Sequence, residues 1–162
     1  MSEIVSVIEQ NIPPSIDSTR LTGETGERLP PEFLSANGYR LVAANFKVPV
    51  GRNSKGVQVT GEIDIIALDG DTLCFIEVKT RVSDSFAAPL TAVDLRKQRQ
   101  IIRTARVYRR IFRIRTVPIR YDAVSIVMPP GEEPKIEIVK NFWTEERFRK
   151  RSWHREVWHE FH

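Results

Sequence analysis

The 162-residue chain is 41% hydrophobic and 28% charged with a formal net charge of +4, a composition that fits one globular domain and excludes a disordered or fibrous chain. No apolar run approaches the roughly 20 residues that span a bilayer, and no basic segment followed by an apolar one opens the chain, so neither a membrane span nor a secretory signal is expected. The single cysteine, Cys74, excludes an internal disulfide and makes a reducing, cytoplasmic setting the expectation.

Residues 1–22, with Pro13-Pro14 and a polar run behind them, read as a partly ordered extension. The domain is expected over residues 23–142, followed by a helical tail over 143–162. Residues 25–37 form a predicted helix that stops at Gly38, but Pro30-Pro31 suits only a first helical turn. The helix therefore either starts near Pro30 or breaks there. A strand follows over residues 39–48, then a polar loop from Gly51 to Gly56. Residues 57–68 and 72–80 are two further strands joined through Asp69-Gly70-Asp71, a hairpin sequence. Within the second, Leu73-Cys74-Phe75-Ile76 reads as buried strand, which makes Cys74 an inert core thiol. Ile101, Ala105, Tyr108 and Phe112 recur at helical spacing and predict a long helix over residues 91–112. Strands at 119–128 and 135–139 complete an α-β-β-β-α-β-β order.

The chemistry concentrates on the hairpin. Strand alternation puts Glu62 and Asp64 on one face, and Glu77 and Lys79 on one face of the next strand. Either two-residue turn, Asp69-Gly70 or Gly70-Asp71, sets Asp64 against Phe75 or Glu77. In both registers Asp64, Glu77 and Lys79 share a side; a turn one residue longer would separate them. Clustered carboxylates repel unless protonated or neutralised by a cation. Mg²⁺ accepts one or two carboxylates, keeps waters and bridges to phosphate oxygens, and a neighbouring lysine can orient water or stabilise charge on phosphorus. These parts suit metal-assisted phosphodiester hydrolysis. Alternating Glu and Lys also line solvent faces of antiparallel sheets, and that plain reading stays open for the Glu-Val-Lys tripeptide alone.

Ten basic and no acidic residues lie between Arg96 and Arg120. On the predicted helix Arg96, Arg99, Arg103, Arg106, Arg110 and Arg113 form one stripe, opposite the apolar positions. Phosphate binding, or a merely solvated face, accounts for such a stripe, and the absence of acids favours phosphates. Arg81 and Lys97 extend the set of expected nucleic-acid contacts. Gln98 falls in the apolar sector and needs a partner, in the site or on sheet backbone. His154, His159 and His162 match no zinc spacing.

The chain resembles the PD-(D/E)xK nuclease superfamily and, more closely, the bacterial YraN family of predicted nucleases, related to archaeal Holliday junction resolvases. The matching pieces are Gly26-Glu27, Phe33-Leu34 with Gly38-Tyr39, Gly61-Glu62-Ile63-Asp64-Ile65-Ile66, Phe75-Ile76-Glu77-Val78-Lys79-Thr80-Arg81, Ala92-Val93 with Lys97-Gln98, and Arg120-Tyr121-Asp122-Ala123-Val124. The resemblance implies an α/β, restriction-endonuclease-like αβββαβ core with a mixed sheet flanked by helices. It implies Mg²⁺ or Mn²⁺ held by Asp64, Glu77 and Glu27, with Lys79 catalytic and Gln98 supporting. The expected activity is endonucleolytic hydrolysis of DNA, with branched or structured DNA favoured by analogy and a homodimer among the possible states. An inactive nuclease-fold module that binds nucleic acid, and a protein-interaction domain, are the alternatives. The chain departs from the family pattern at Pro30-Pro31, in an enlarged loop over residues 53–58, and beyond Trp143.

Overall fold

A computed structural model describes residues 25–82 and 93–149, with side chains described from residue 29 onward in the first stretch. The predicted N-terminal extension, the tail beyond residue 149 and the Glu27 side chain lie outside the described residues. Helix α1 (Thr25–Ala36) leads into strands β1 (Tyr39–Arg52), β2 (Gln58–Asp69) and β3 (Thr72–Arg81). Helix α2 (Leu95–Ile111) then crosses to β4 (Ile119–Val127), which is followed by β5 (Lys135–Trp143) and a 3-10 turn, Glu145–Phe148. The five strands form one mixed sheet in the order β1-β2-β3-β4-β5. Only β3 and β4 run parallel, because the α2 crossover returns the chain to the starting edge. This is the α/β architecture expected, with the same order of elements.

Three expectations are corrected. The first helix runs unbroken through Pro30 and Pro31, although each lacks the N–H of an i→i−4 bond. Residues 51–56 are not all loop: β1 extends through Arg52, and residues 53–57 make a compact turn before β2. The long helix starts at Leu95, where Asp94 Oδ1 accepts the Lys97 N–H at 2.8 Å as an N-cap. Residues 91 and 92, where a helix start was expected, lie outside the described residues.

Each sheet face has its own core. On one, α2 buries Ile101, Ile102, Ala105 and Tyr108 against Ile63, Ile66, Leu68, Leu73, Phe75 and Tyr121. On the other, Leu34 of α1 packs with Tyr39, Ile65, Ala67, Cys74, Ile76, Val124 and Ile126. Cys74 is fully buried, as its sequence context implied, and burial pushes its thiol up to about 12. The hairpin end of the sheet is tied by a buried ionic network. Asp122, wholly buried, accepts from Arg120 Nε (2.8 Å), Arg120 Nη2 (2.9 Å), the Asn141 N–H (2.8 Å) and Tyr39 Oη (3.3 Å). Arg120 also donates to Asp69 Oδ2 at 2.7 Å, which Lys140 reaches at 2.9 Å. Four strands are thereby joined through charge-assisted hydrogen bonds.

At Gly61 the strand β2 passes so close to α2 that a Cβ would overlap Thr104 Oγ1 and come within 2.7 Å of Val50 Cγ1. Gly61→Ala should therefore lower the unfolding free energy by about 1–3 kcal/mol, read from urea melts. Adding Thr104→Ala should recover part of the loss. Undiminished stability of the single variant would mean that this close approach is absent.

Candidate active site

The Gly70-Asp71 turn, with Gly70 at φ +59°, pairs Asp69 with Thr72 and Ile65 with Ile76. That is the register in which Asp64 falls opposite Glu77. The β2–β3 ladder ends there: the Val78 N–H donates at 2.8 Å to Asp64 Oδ2 instead of to backbone. The carboxylate thus closes the gap where β2 leaves β3.

Simple alternation does not hold along β2 at this point. Ile63 belongs to the α2-side core and Ile65 to the α1-side core, while Gly61 faces Thr104 of α2. The inside–outside pattern slips by one at Asp64, opposite Asn45, whose φ of +51° interrupts β1 and whose pairing the ladder skips. Glu62, expected on the Asp64 face, is consequently turned to the other one. It pairs with Lys47 of β1 at 3.4 Å.

Glu77 is 2% exposed. Its Oε1 lies 2.8 Å from Lys79 Nζ and its Oε2 lies 3.5 Å from Lys97 Nζ. Lys97 comes from the first turn of α2, so two elements converge on one buried carboxylate. Among the described residues Glu77 Oε2 nevertheless has no hydrogen-bond donor. Asp64 is pushed up to about 6, first by burial and then by the negative charge of Glu77. The Val78 N–H and the charge of Lys97 pull against both. Gln98, 4% exposed, donates from Nε2 to the Val93 carbonyl at 2.8 Å, and its Oε1 is buried without a donor. Its backbone partner is in the segment before α2, not in the sheet.

The described residues fit a hard divalent cation. Two adjacent carboxylates, one of them pushed up by burial and then by the charge of the other, and a Glu77 oxygen with no donor among the described residues present the negative charge and lone pairs that Mg²⁺ coordinates. Among the described residues no three His, Cys, Asp or Glu side chains cluster; Asp64 and Glu77 are the pair set side by side.

The structure brings Asp64, Glu77 and Lys79 together as predicted, and adds Lys97, which sequence reasoning placed among the outward phosphate contacts. The helical wheel carries the distinction: Lys97 lies a quarter-turn away from Arg96, toward the sheet. Arg96, Arg99, Arg103, Arg106, Arg110 and Arg113 are all exposed, as a stripe, with Arg113 just past the helix end. Two of them have partners that the local sequence could not reveal. Arg106 Nη2 is paired with Glu145 at 2.7 Å, and the Arg99 guanidinium lies over Phe148, 5.3 Å from the ring centroid. Arg81, at the end of β3, is half-buried.

Fold and site together define an α/β domain with an αβββαβ core, carrying its charged cluster where the second and third strands part. Residues 26–126 match the model of the uncharacterised protein family UPF0102, and the chain belongs to that family, the YraN family its motifs resemble. The UPF0102 protein of Symbiobacterium thermophilum is 36% identical over 76% of this chain and 96% of its own. That of Chlorobium chlorochromatii is 37% identical over 80% and 97%, and that of Dictyoglomus turgidum 39% identical over 68% and 86%. A solved structure, the crystal structure of SSO0001, matches with a TM-score of 0.36 at 14% identity, over 90% of this chain and 61% of that one. No described helix is long and apolar enough to cross a membrane.

Because the folded Asp64 pKa of about 6 lies above its ordinary value of 3.8, the folded protein binds the extra proton between those pH values. Stability in metal-free buffer should therefore fall as pH rises from about 4 to about 6. In Asp64→Asn that part of the slope should vanish, a comparison made by thermal melts across the range. Parallel profiles for the two proteins would show that Asp64 is not so shifted.

Proposed function

We propose that the protein is a metal-dependent endonuclease that hydrolyses DNA phosphodiester bonds, with branched or otherwise structured DNA as its favoured substrate. The observation that carries this reading is the buried Glu77 carboxylate, set beside Asp64 and contacted by Lys79 at 2.8 Å. Asp64 and Glu77 would hold a Mg²⁺ or Mn²⁺ ion, with Glu27 of α1 a further proposed ligand. When bound, the ion would supply Lewis-acid stabilisation of the phosphoryl oxygen and a water of lowered pKa.

The chain's own groups do the rest. Lys79 Nζ, anchored on Glu77 Oε1, keeps an ammonium beside the carboxylates, where it orients an attacking water and offsets charge developing on phosphorus. Lys97 reaches the same carboxylate from α2 and presents a second ammonium to an incoming phosphate. Gln98, fixed through Val93, offers its free Oε1 to a water or an ammonium N–H. The exposed arginines of α2 hold backbone phosphates without reading bases. Cutting two strands of a junction symmetrically requires two such sites, so a second copy of the chain belongs to the proposal, as does a cytoplasmic setting.

One observation favours a second reading. Glu77 has two lysines already, and a carboxylate neutralised this way can persist with no ion. On that reading the domain binds nucleic acid without cutting it.

Cleavage of a labelled four-way junction, a duplex and a single strand with Mg²⁺ or Mn²⁺ separates the two. Asp64→Asn and Lys79→Ala should each lower the rate by about 10²–10⁴-fold or more while binding persists. Binding without cutting under either metal would leave only the inactive module, and cutting that survives both substitutions would place the chemistry elsewhere.

A further inference from the structure

From Asp64 outward, β2 has no partner in β3 and runs with β1 alone. The two strands continue as a ribbon for six further residues of β2, which is about 20 Å at ~3.3 Å per residue. Residues 51–58, at its far end, are all exposed. The tip is nevertheless a built turn. The Asn53 N–H donates to the Val57 carbonyl at 2.9 Å, and Asn53 Oδ1 accepts the N–H groups of Lys55 and Val57 at 3.0 Å. Arg52 Nη1 donates to the Gly56 carbonyl at 2.7 Å.

The ribbon is cationic. No acidic residue lies between Arg40 and Glu62, a span that carries Lys47, Arg52 and Lys55. Lys47 is taken by Glu62 near the root, which leaves Arg52 and Lys55 as the charges at the tip. The ribbon is also fastened to α2 along its middle: Gln100 Nε2 donates to the Thr60 carbonyl at 3.0 Å, and Thr104 faces Gly61. Arg96 and Arg103 stand about one turn to either side of Gln100 on the exposed helix face. Ribbon, carboxylate site and arginine stripe therefore meet at one corner of the molecule.

We propose that the β1–β2 ribbon is a second phosphate-binding arm, which together with the α2 stripe holds a nucleic-acid duplex beyond the carboxylate cluster. This rests on the nucleic-acid part of the functional reading above and not on its hydrolytic part. At ~3.4 Å per base-pair step, an arm of about 20 Å reaches some six steps from Asp64, roughly half a helical turn. Duplex is the occupant that its chemistry fits. A protein partner would need an apolar centre, and Val57 is the only large apolar side chain among the exposed residues 51–58.

The test uses the full chain in an Asp64→Asn background, so that the probe stays intact. Binding of a fluorescein-labelled DNA duplex is followed by anisotropy between 50 and 200 mM salt, with and without Arg52→Ser/Lys55→Ser. Loss of two phosphate contacts should make the slope of log affinity against log salt shallower by about 1.8, and weaken low-salt binding by roughly tenfold. The charge-preserving pair Arg52→Lys/Lys55→Arg should keep the slope, and melting curves should coincide, since the substituted side chains are outside the core. An unchanged slope overturns the arm while leaving the α2 stripe as the binding surface. An arm that loses affinity for an acidic polypeptide but not for duplex is a protein contact, which also overturns it. No duplex binding by Asp64→Asn itself removes both the arm and the nucleic-acid reading. As cleavage is never read, an enzyme that binds but does not cut leaves the inference standing.

Discussion

A carboxylate at 2% exposure in the middle strand of a sheet is the constraint around which this molecule is arranged. Desolvating an ion of that size is expensive unless opposite charge and hydrogen bonds compensate. Glu77 obtains compensation from both layers: Lys79 from its own strand and Lys97 from the helix packed above it. The phase of α2 against the sheet cannot shift by one residue without withdrawing Lys97 from that charge. The same burial that makes Glu77 expensive also excludes water from its neighbourhood, which strengthens each electrostatic interaction made there.

Asp64 answers a second constraint in the same place. Beyond Ile65 the strand β2 diverges from β3 and would leave the Val78 N–H without its ladder partner. Asp64 Oδ2 takes that N–H, and in doing so is buried against Glu77; the burial, and then the charge of Glu77, raise its proton affinity. The pair works against stability, since two like charges held together weaken the fold above the pH at which one is protonated. Strain of this kind is a usual mark of a functional position.

Helix α2 serves three surfaces at once. Its apolar side closes the core over Phe75 and Tyr121, its first turn delivers Lys97 to Glu77, and its outer side carries the arginines. Near its far end Arg106 and Glu145 meet, with the Tyr121 hydroxyl donating to Glu145 Oε1 at 2.7 Å, so the segment after β5 is clamped to the helix. At the opposite end of the sheet from the parting strands, the Arg120–Asp122–Asp69 network ties β1, β2, β4 and β5. One end of the sheet is thus cross-linked by charge, and the other is left open around the carboxylates.

Much of this was written into local sequence. Apolar periodicity determined the order of helices and strands, Gly70 determined a tight hairpin, and period-two spacing put Glu77 and Lys79 on one face, because each depends only on near neighbours in the chain. Tertiary structure decided the rest. Choosing Gly70-Asp71 over Asp69-Gly70 depends on how both strands meet their cores, and the slip at Asp64, which sends Glu62 to Lys47, depends on Asn45 across the ladder. Lys97 read as one more basic residue of an arginine-rich helix until packing turned the first helical turn toward Glu77. Glu145 and Phe148 likewise reached Arg106 and Arg99 only once β5 had returned the chain to α2. A side chain's periodicity is a property of its own element, but which charge it finds is a property of how the layers are stacked.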